Sequence, residues 1–452
     1  MAAYKTPGVY AEEISTLPPS VAEVSTAIPA FFGYTEKGPA IARISTMLEY
    51  QQVFGGPSQT TFAVTTLLDG SISKVTRGGA AFLLYYAVSH YFQNGGGPCY
   101  IVSAGSYPTT ASRADFDACL ATVEKEDEPT LLVFTDATSL PPEDYFTLCQ
   151  AALTQCHKLG DRFAIFDVQD GKVSDFRTGI GTSNLSYGAA YHPYLQTTIS
   201  YLYNDADVAV TIPAAAPVAV AGAPATPSPS APAPVTLDSI RSSNTTLYNQ
   251  IKARLTSERV ILPPSAAIAG VYAGVDRDRG VWKAPANVSA AAVIGPVTKI
   301  TNDDQESLNV DPMAGKSINA IRAFSGKGTL VWGARTLAGN DNEWRYVSVR
   351  RLFITIEEST RNATSFAVFE PNDATTWLKV KGMIESYLYG LWEKGALAGG
   401  KPESAYFVNV GLGKTMTAQD VLEGRMNVEI GVAAVRPAEF IVLRFSHKLQ
   451  EA

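Results

Sequence analysis

Short apolar segments alternate with helix-like segments between residues 98 and 168, and this alternation constrains the fold more than any other feature of the chain. Residues 98–103, 130–135 (TLLVFT) and 162–168 (RFAIFDV) have the length and composition of buried strands. Residues 113–126 and 142–159 between them have those of helices. Strands separated by helices predict βαβ units around a mostly parallel sheet, so we expect an α/β fold in this part of the chain.

The flanking segments predict further elements of this α/β region. Residues 79–93 are apolar nearly all round and end at Asn94 and three glycines, which predicts a buried helix with a glycine stop. Residues 187–203, rich in Tyr and Thr, predict a strand, and residues 243–259 an amphipathic helix.

The last third of the chain predicts a compact α+β set. A helix is expected over residues 349–362, and Asp373 has the position of an N-cap before a long helix over 374–395. The strand candidates in this part are residues 366–370, 405–410, 426–435 and 439–445.

Residues 213–234 (PAAAPVAVAGAPATPSPSAPAP) form a low-complexity insertion of alanine and proline. Such a composition does not pack a core and predicts an exposed, semi-rigid tether or loop. A tolerated linker is favoured over a functional decoration.

Composition excludes several classes of partner. Hydrophobic residues make up 46% of the 452 residues and charged residues only 17%, which suits a chain that packs against copies of itself. The net charge of -7 and the lack of a basic stripe argue against nucleic acid. No apolar segment approaches the length of a membrane span, and the start MAAYKTPGVYAEE lacks the pattern of a secretory signal. We therefore expect synthesis in the cytoplasm without a signal peptide and no direct membrane insertion.

The residue patterns give little support to catalysis. Gly315-Lys316-Ser317 imitates the end of a phosphate-binding loop, but the glycine required upstream is replaced by Val310. The four histidines show no zinc-ligand spacing, the four cysteines form no CxxC pair, and no GxSxG motif is present. We predict no catalytic residues, no cofactor and no metal, with a hydrolase that uses an unrecognised site as the alternative class.

The stretch 263–289 contains two adjacent acid–base pairs, Asp276-Arg277 and Asp278-Arg279. As a catalytic site, the two carboxylates would each be held ionised by a neighbouring arginine, which removes the raised pKa that a general acid needs. As a structural element, the four charges would form ion pairs that fix a loop or cross an interface. The second interpretation is favoured.

Both ends of the chain contain short strand-like segments. Near the start these are Val9, Tyr10 and Ile14, between prolines that disfavour helix. At the other end, the run that contains Phe440, Val442 and Phe445 is apolar on both alternating faces, as in a covered strand. Such segments suit strand addition to another molecule, and pairing within their own chain is the alternative.

Eight motifs follow one another along the chain: TPGVYAEEI, PPSAAIAGVYAGVDRDRGVWKAPANV, SINAIRAF, GTLVWGARTL, WRYVSVRRLFITIEEST, VFEPND, LWEKGALAG and RPAEFIVLRFSH. Together they resemble the contractile tail sheath family of phages and phage-tail-like injection systems. The alanine–proline insertion departs from compact sheath proteins and resembles the sheath paralogues of antifeeding-prophage-like particles.

The resemblance implies a layout of four parts. These are an extended N-terminal arm (1–28), a subtilisin-like α/β sheath domain without a working protease triad (29–340), an α+β C-terminal domain (341–438) and a C-terminal arm (439–452). It also implies that the arms add strands to neighbouring subunits.

The implied function is that of a structural sheath subunit in a phage tail or a released extracellular particle. Copies would form a six-fold helical sheath of stacked hexameric rings around an inner tube, in a metastable extended state whose contraction drives the tube through an envelope. Further implied partners are baseplate and terminator or cap proteins and paralogous sheath proteins. The candidates for tube contact are Lys379, Lys381 and Lys394 on the helix at 374–395. A static ring, cap or terminator component is the alternative within the same kind of particle.

Overall fold

The computed structural model of the chain describes residues 21–79, 82–108, 110–213, 234–311 and 313–443. These residues divide into two compact units. The large unit contains Ser25–Ile354 and residues 436–443, and the small unit contains residues 21–24 and Thr355–Val435, within the described ranges. The predicted arm residues Val9, Tyr10, Ile14 and Phe445 lie outside the described residues.

The strands are numbered in chain order. They are β1 Pro29–Thr35, β2 Ile41–Ile44, β3 Thr60–Thr66, β4 Ile72–Gly79, β5 Cys99–Ser106, β6 Leu131–Val133, β7 Phe163–Asp167, β8 Gly188–His192, β9 Leu195–Ser200, β10 Val208–Thr211, β11 Val235–Thr236, β12 Arg259–Leu262, β13 Val288–Ser289, β14 Val293–Pro296, β15 Asn319–Phe324, β16 Gly328–Val331, β17 Tyr406–Val410 and β18 Val428–Val432.

The helices are numbered in the same way. They are α1 Met47–Phe54, α2 Leu84–Gln93, α3 Arg113–Val123, α4 Pro142–Leu159, α5 Val173–Gly179, α6 Leu237–Ser243, α7 Thr245–Thr256, α8 Ser265–Arg279, α9 Asn302–Asn309, α10 Val347–Ala363, α11 Ala374–Glu393, α12 Pro402–Ala405 and α13 Ala418–Leu422.

A nine-stranded sheet forms the centre of the large unit, in the order β13-β16-β15-β8-β7-β6-β1-β5-β2. The six strands from β15 to β5 are parallel, and antiparallel strands complete both edges. This topology confirms the predicted mixed α/β fold, because β5, α3, β6, α4 and β7 follow one another as the sequence pattern indicates.

The parallel strands are covered on both faces. Along β1, Phe31 packs into one hydrophobic cluster with residues of α2 and α8, whereas Phe32 and Tyr34 pack into a second cluster with residues of α3 and α4. All seven residues of β1 are buried, as expected for a central parallel strand between two layers of helices.

Two smaller sheets complete the large unit, in the orders β11-β10-β3-β4 and β12-β9-β14. Strand β10 pairs with β11 through Val210 and Val235, so the alanine–proline segment begins and ends at two adjacent, hydrogen-bonded strands. The segment itself, residues 214–233, lies outside the described residues.

The predicted loop at 276–279 is wrong, because these residues form the last turn of α8. Gly270 in the middle of α8 lies against α2, where an added Cβ would approach the carbonyl oxygen of Tyr91 to 2.7 Å. The small residues therefore build a close helix–helix contact, and Gly280 with a φ of 90° ends the helix at its glycine stop.

In the small unit, α11 packs against the hairpin of β17 and β18. Asp373 caps α11 by accepting a hydrogen bond from the Thr376 amide at 3.0 Å, which confirms the predicted N-cap. Val408 pairs with Ile430 and Val410 with Val428, so these residues share one face of the hairpin.

Other boundaries differ from the sequence predictions. The helix predicted from 79 begins at Leu84, and the strand predicted over 187–203 is two strands on either side of Pro193. The strand predicted over 366–370 is wrong: a 3₁₀ helix at Thr364–Ala367 is followed by a turn that ends at Glu370. Within 439–445, the described residues 439–443 form no strand in their own chain.

Candidate assembly surfaces

The serine and aspartate that lie closest to a hydrolase arrangement are Ser265 and Asp167. Asp167 ends β7, and Ser265 begins α8 and donates its hydroxyl to Asp167 Oδ2 at 2.5 Å and its amide to Oδ1 at 2.8 Å. Burial raises the pKa of Asp167 to about 7, against the two hydrogen bonds that lower it. Both residues are buried and in direct contact, so no imidazole lies between them and the hydroxyl cannot reach a substrate.

In the segment that resembles a phosphate-binding loop, the Asp311 carboxylate occupies the position that a phosphate would take. Asp311 accepts hydrogen bonds from the amides of Met313 at 3.2 Å and Ala314 at 3.1 Å. The positions that would hold a phosphate are therefore occupied, and the Arg177 guanidinium lies 3.5 Å away as the counter-charge.

The described residues contain neither a metal-ion site nor a helix suited to span a membrane. Across those ranges, no group of three histidine, cysteine or acidic side chains is arranged to hold a metal ion. None of the helices in the described part of the chain combines the length and apolar character needed to cross a bilayer.

The four charged residues at the end of α8 have different partners. Asp276 is buried and accepts two hydrogen bonds from Arg351 of α10, at 3.1 and 2.5 Å. Arg277 and Asp278 form an exposed pair with each other at 3.1 Å, and Arg279 is exposed. Residues i and i+1 of a helix point in different directions, so only Asp276 faces the protein interior.

Arg351 connects three parts of the large unit. Besides Asp276, its guanidinium donates to the carbonyl oxygen of Thr26 at 2.9 Å and lies 4.6 Å from the ring centre of Tyr272. A buried arginine with a bidentate carboxylate and an aromatic face is held in one orientation. It therefore fixes the backbone at Thr26, just before β1.

Glu439 is held in a comparable way near the other end of the described chain. Arg335 donates to its two carboxylate oxygens at 2.9 and 2.5 Å, Asn309 donates at 2.8 Å and Tyr346 at 3.2 Å. Burial would raise the pKa of Glu439, but the bonds from Arg335 and Asn309 outweigh it and the pKa lies below its usual value. The chain is thus anchored at Glu439.

The four residues after this anchor are apolar and exposed. Phe440, Ile441, Val442 and Leu443 have exposed fractions of 71, 79, 76 and 72%. Four consecutive large apolar residues in water are unfavourable by about 1.5–3 kcal/mol each relative to burial. Exposed apolar segments of this kind are typical of interaction sites.

The small unit contains an apolar groove of about 760 Å³ beside β18. Val428 and Ile430 line it from β18, and Val380 and Ile384 of α11 also line it. The segment 367–372 and the polar residues Glu357, Thr360 and Arg361 of α10 also contribute to the lining. Since β17 pairs with β18 and does not line the groove, the groove lies along the other edge of β18, which pairs with no strand among the described residues.

The three lysines predicted to face a tube differ in their surroundings. Lys381 lies 3.5 Å from Glu385, one turn later on α11, and Lys394 lies 3.3 Å from Glu23. Lys379 is exposed on α11 and has no ion pair among the described residues. The three lysines therefore differ in how much charge they present to solvent.

Arg335, Arg351 and the groove were not predicted from the sequence, and the segment at 366–370 was predicted as a strand. Neither arginine stands beside its carboxylate partner in sequence, so no local pattern signals the pair. The groove combines residues from three helices and strands separated along the chain.

Solved structures resemble the chain over nearly its full length. The sheath complex of the extracellular contractile injection system PVC, in its contracted state, is 32% identical with a TM-score of 0.66, and the match covers 99% of each chain. A chain from the baseplate of the anti-feeding prophage (AFP) is 32% identical with a TM-score of 0.67, and the match covers 99% of this chain and 100% of that one.

The matches to phage sheath proteins cover only part of the chain. Residues 339–448 match the family described as phage tail sheath C-terminal domain. The tail sheath protein of Vibrio phage KVP40 is 26% identical over 136 residues, which is 30% of this chain and 20% of the phage protein. The match thus spans about a fifth of the length of that curated relative.

The exposed apolar segment at residues 440–443 and the apolar groove beside β18 are typical of a chain that packs against other protein molecules. With 32% identity over nearly all of two injection-system chains, the protein belongs to the sheath protein family of contractile injection systems. The prediction that it is not an enzyme is confirmed by these relatives, which are structural sheath proteins.

Proposed function

We propose that copies of the chain polymerise into a six-fold sheath of stacked rings around an inner tube and that contraction of this sheath drives the tube through an envelope. The exposed apolar segment at residues 440–443 carries the proposal, because it needs another molecule to cover it. In this proposal the nine-stranded sheet and its helices are the subtilisin-like domain, and the two ends of the chain are arms that join subunits.

The unpaired edge of β18 is the acceptor for the C-terminal arm in this proposal. Five residues of β18 extend about 16 Å, the length of five arm residues in a strand. An arm strand beside β18 would place alternate side chains over the apolar groove, while backbone hydrogen bonds join the two strands. Val428 and Ile430 then become residues of a covered sheet instead of its edge.

Strand addition also suits a sheath that changes its lattice. Backbone hydrogen bonds between strands set the register without side-chain specificity, so a strand added in this way keeps two subunits joined while they rotate as bodies. In this proposal the anchor at Glu439 sets the point at which the arm begins.

The other proposed partners follow from the relatives. A chain similar to this one occurs in the AFP baseplate, which supports contact with a baseplate. The PVC relative is a sheath in its contracted state, which supports contraction here. We propose α11 as the tube-facing helix and a phage tail or an extracellular particle as the location, with terminator or cap proteins at the end of the sheath.

Substitution of Val442 tests the arm directly. Val442 is exposed in the single chain, so Val442→Asp leaves folding unchanged, whereas in an arm strand it buries a carboxylate at a cost of several kcal/mol. We expect Val442→Asp to give folded chains that form no tubes by negative-stain electron microscopy, and Val442→Ile to form tubes of wild-type length. Wild-type tubes from Val442→Asp would contradict the proposed function.

A further inference from the structure

Phe369 occupies a backbone position that favours glycine. The Glu370 amide donates to the Ala367 carbonyl at 3.2 Å, which closes a β-turn over residues 367–370. Val368 has φ -69° and ψ 126°, and Phe369 has a φ of 69°. These angles are those of a type II turn, whose third residue is normally glycine or asparagine.

The phenylalanine is also fully exposed, at 103%, and lines the groove beside β18. Neither feature stabilises the single chain: the left-handed φ strains a bulky residue, and the exposed ring is hydrated. A strained apolar residue that packs on nothing in its own unit is typical of a binding site, where a second molecule compensates the strain.

We propose that Phe369 is a preformed clamp that packs over the apolar side chains of an arm strand when that strand binds in the groove. The turn holds the ring in place before binding, so no side chain has to be repositioned in the assembly step. This inference rests on the proposed function, because the occupant is the C-terminal arm of a second copy.

The C-terminal arm fits the groove in chemistry and length. Its first four residues after the anchor are all apolar, the groove is lined by Val380, Ile384, Val428 and Ile430, and β18 offers an unpaired strand edge. An arm residue that enters the groove meets apolar side chains on its inner side and the Phe369 ring at the rim.

Phe369→Gly tests the clamp separately from folding. We expect this substitution to weaken assembly but to leave the stability of the unassembled chain equal or higher. Glycine relieves the backbone strain, so we expect the thermal midpoint of the unassembled chain to stay equal or to rise by about 2 °C. Loss of the buried ring should raise the critical concentration for tube formation by about tenfold or more. Phe369→Leu keeps an apolar side chain and should assemble within a few-fold of wild type.

Ala292→Gly is the matched control for strain. Ala292 has a φ of 55° in the large unit, so its glycine variant relieves a similar strain without removing a large apolar side chain. We expect equal or higher stability and wild-type assembly. Assembly of Phe369→Gly at the wild-type critical concentration would overturn the clamp.

A photo-crosslinking phenylalanine analogue at position 369 identifies the occupant in assembled sheaths of the full chain. We expect crosslinks to residues 439–452 of another copy. Crosslinks to the N-terminal residues 1–20 or to a tube protein would overturn the assignment. If Val442→Asp abolishes tubes while Phe369→Gly does not weaken them, the arm proposal stands and the clamp fails; if Val442→Asp forms normal tubes, the arm proposal itself fails.

Discussion

Two buried arginines hold the backbone of the large unit near its two ends. Arg351 binds the carbonyl oxygen of Thr26 and the carboxylate of Asp276, and Arg335 binds the carboxylate of Glu439. Arginine suits this task because its planar group donates several hydrogen bonds in fixed directions and remains charged when buried. The chain is therefore held at Thr26 and at Glu439, the two points near which the proposed arms begin.

Glu439→Gln tests the C-terminal anchor. Glutamine keeps one acceptor oxygen but loses the charge opposite Arg335, whose side chain is only 4% exposed. We expect the free energy of unfolding at pH 7, measured by urea denaturation, to fall by about 2 kcal/mol. Glu429→Gln is the matched control, since Glu429 is exposed and accepts one bond from Asn409 at 3.2 Å, and it should change stability little.

The effect of Glu439→Gln should depend on pH. The pKa of Glu439 in the folded chain lies below its usual value, so its contribution is present above the unfolded pKa and is lost as pH falls through the folded pKa. The difference in stability between wild type and Glu439→Gln should therefore shrink in acid. A difference that is constant from pH 7 to pH 3 would contradict the charged anchor.

The partners of single charges could not be predicted from the sequence. Asp276 stands beside Arg277, yet it binds Arg351, which is distant along the chain. The partner of such a charge depends on the direction in which the helical side chain points and on which helix packs against it. Both are properties of the tertiary structure. For the same reason, the sequence does not indicate that Arg335 and Glu439 form an ion pair.

At the scale of elements, the contact between α2 and α8 is set by small residues. An alanine at Gly270 would place its Cβ 2.7 Å from the Tyr91 carbonyl oxygen and 2.8 Å from the Asn94 Cβ, whereas at Gly274 the nearest atom is 3.8 Å away. Both glycines lie in the same helix, so they differ mainly in how closely α2 approaches.

Gly270→Ala and Gly274→Ala should therefore have different effects on the free energy of unfolding. We expect Gly270→Ala to lower the free energy of unfolding by about 1–3 kcal/mol, because α2 and α8 have to move apart. Gly274→Ala should be neutral or stabilising by up to about 1 kcal/mol, since alanine is the better helix former. Equal effects of the two variants in urea denaturation would show that the helix contact is looser than described.

Elements with a clear hydrophobic period were predictable, and elements set by local backbone geometry were not. The strands and helices from β5 to β7 and the capped α11 follow the sequence prediction within a few residues. The segment 366–370 (FAVFE) has the composition of a strand, yet it contains a turn with Phe369 at a positive φ. A strained conformation opposes the local propensity, so composition cannot indicate it.

The groove was unpredictable for a different reason. It combines side chains of α10, α11 and β18 with the turn at 367–370, and its shape exists only after these elements have packed. Its existence explains why residues 440–443 can be apolar: the proposed assembly covers them with a surface that each subunit carries. Composition could indicate self-association, but it could not indicate where the covering surface lies.

At the scale of the whole molecule, the proposed sheath has to hold a tube firmly enough to move it and loosely enough to release it. Single exposed charges contribute about 0.2–1 kcal/mol each, so many weak contacts in a lattice provide both properties. Among the predicted tube-facing lysines, Lys379 is exposed without an ion pair in the described residues, whereas Lys381 pairs with Glu385.

This difference predicts unequal effects on tube binding. Lys379→Gln removes a charge that is free to contact a tube, and we expect it to lower the fraction of chains that co-sediment with inner tubes at low salt. Lys381→Gln removes a charge already balanced by Glu385 and should have a smaller effect. The difference between the variants should disappear at about 0.5 M salt, because screening removes weak surface contacts. If both variants bind tubes as the wild type does at low salt, α11 does not contact the tube through Lys379.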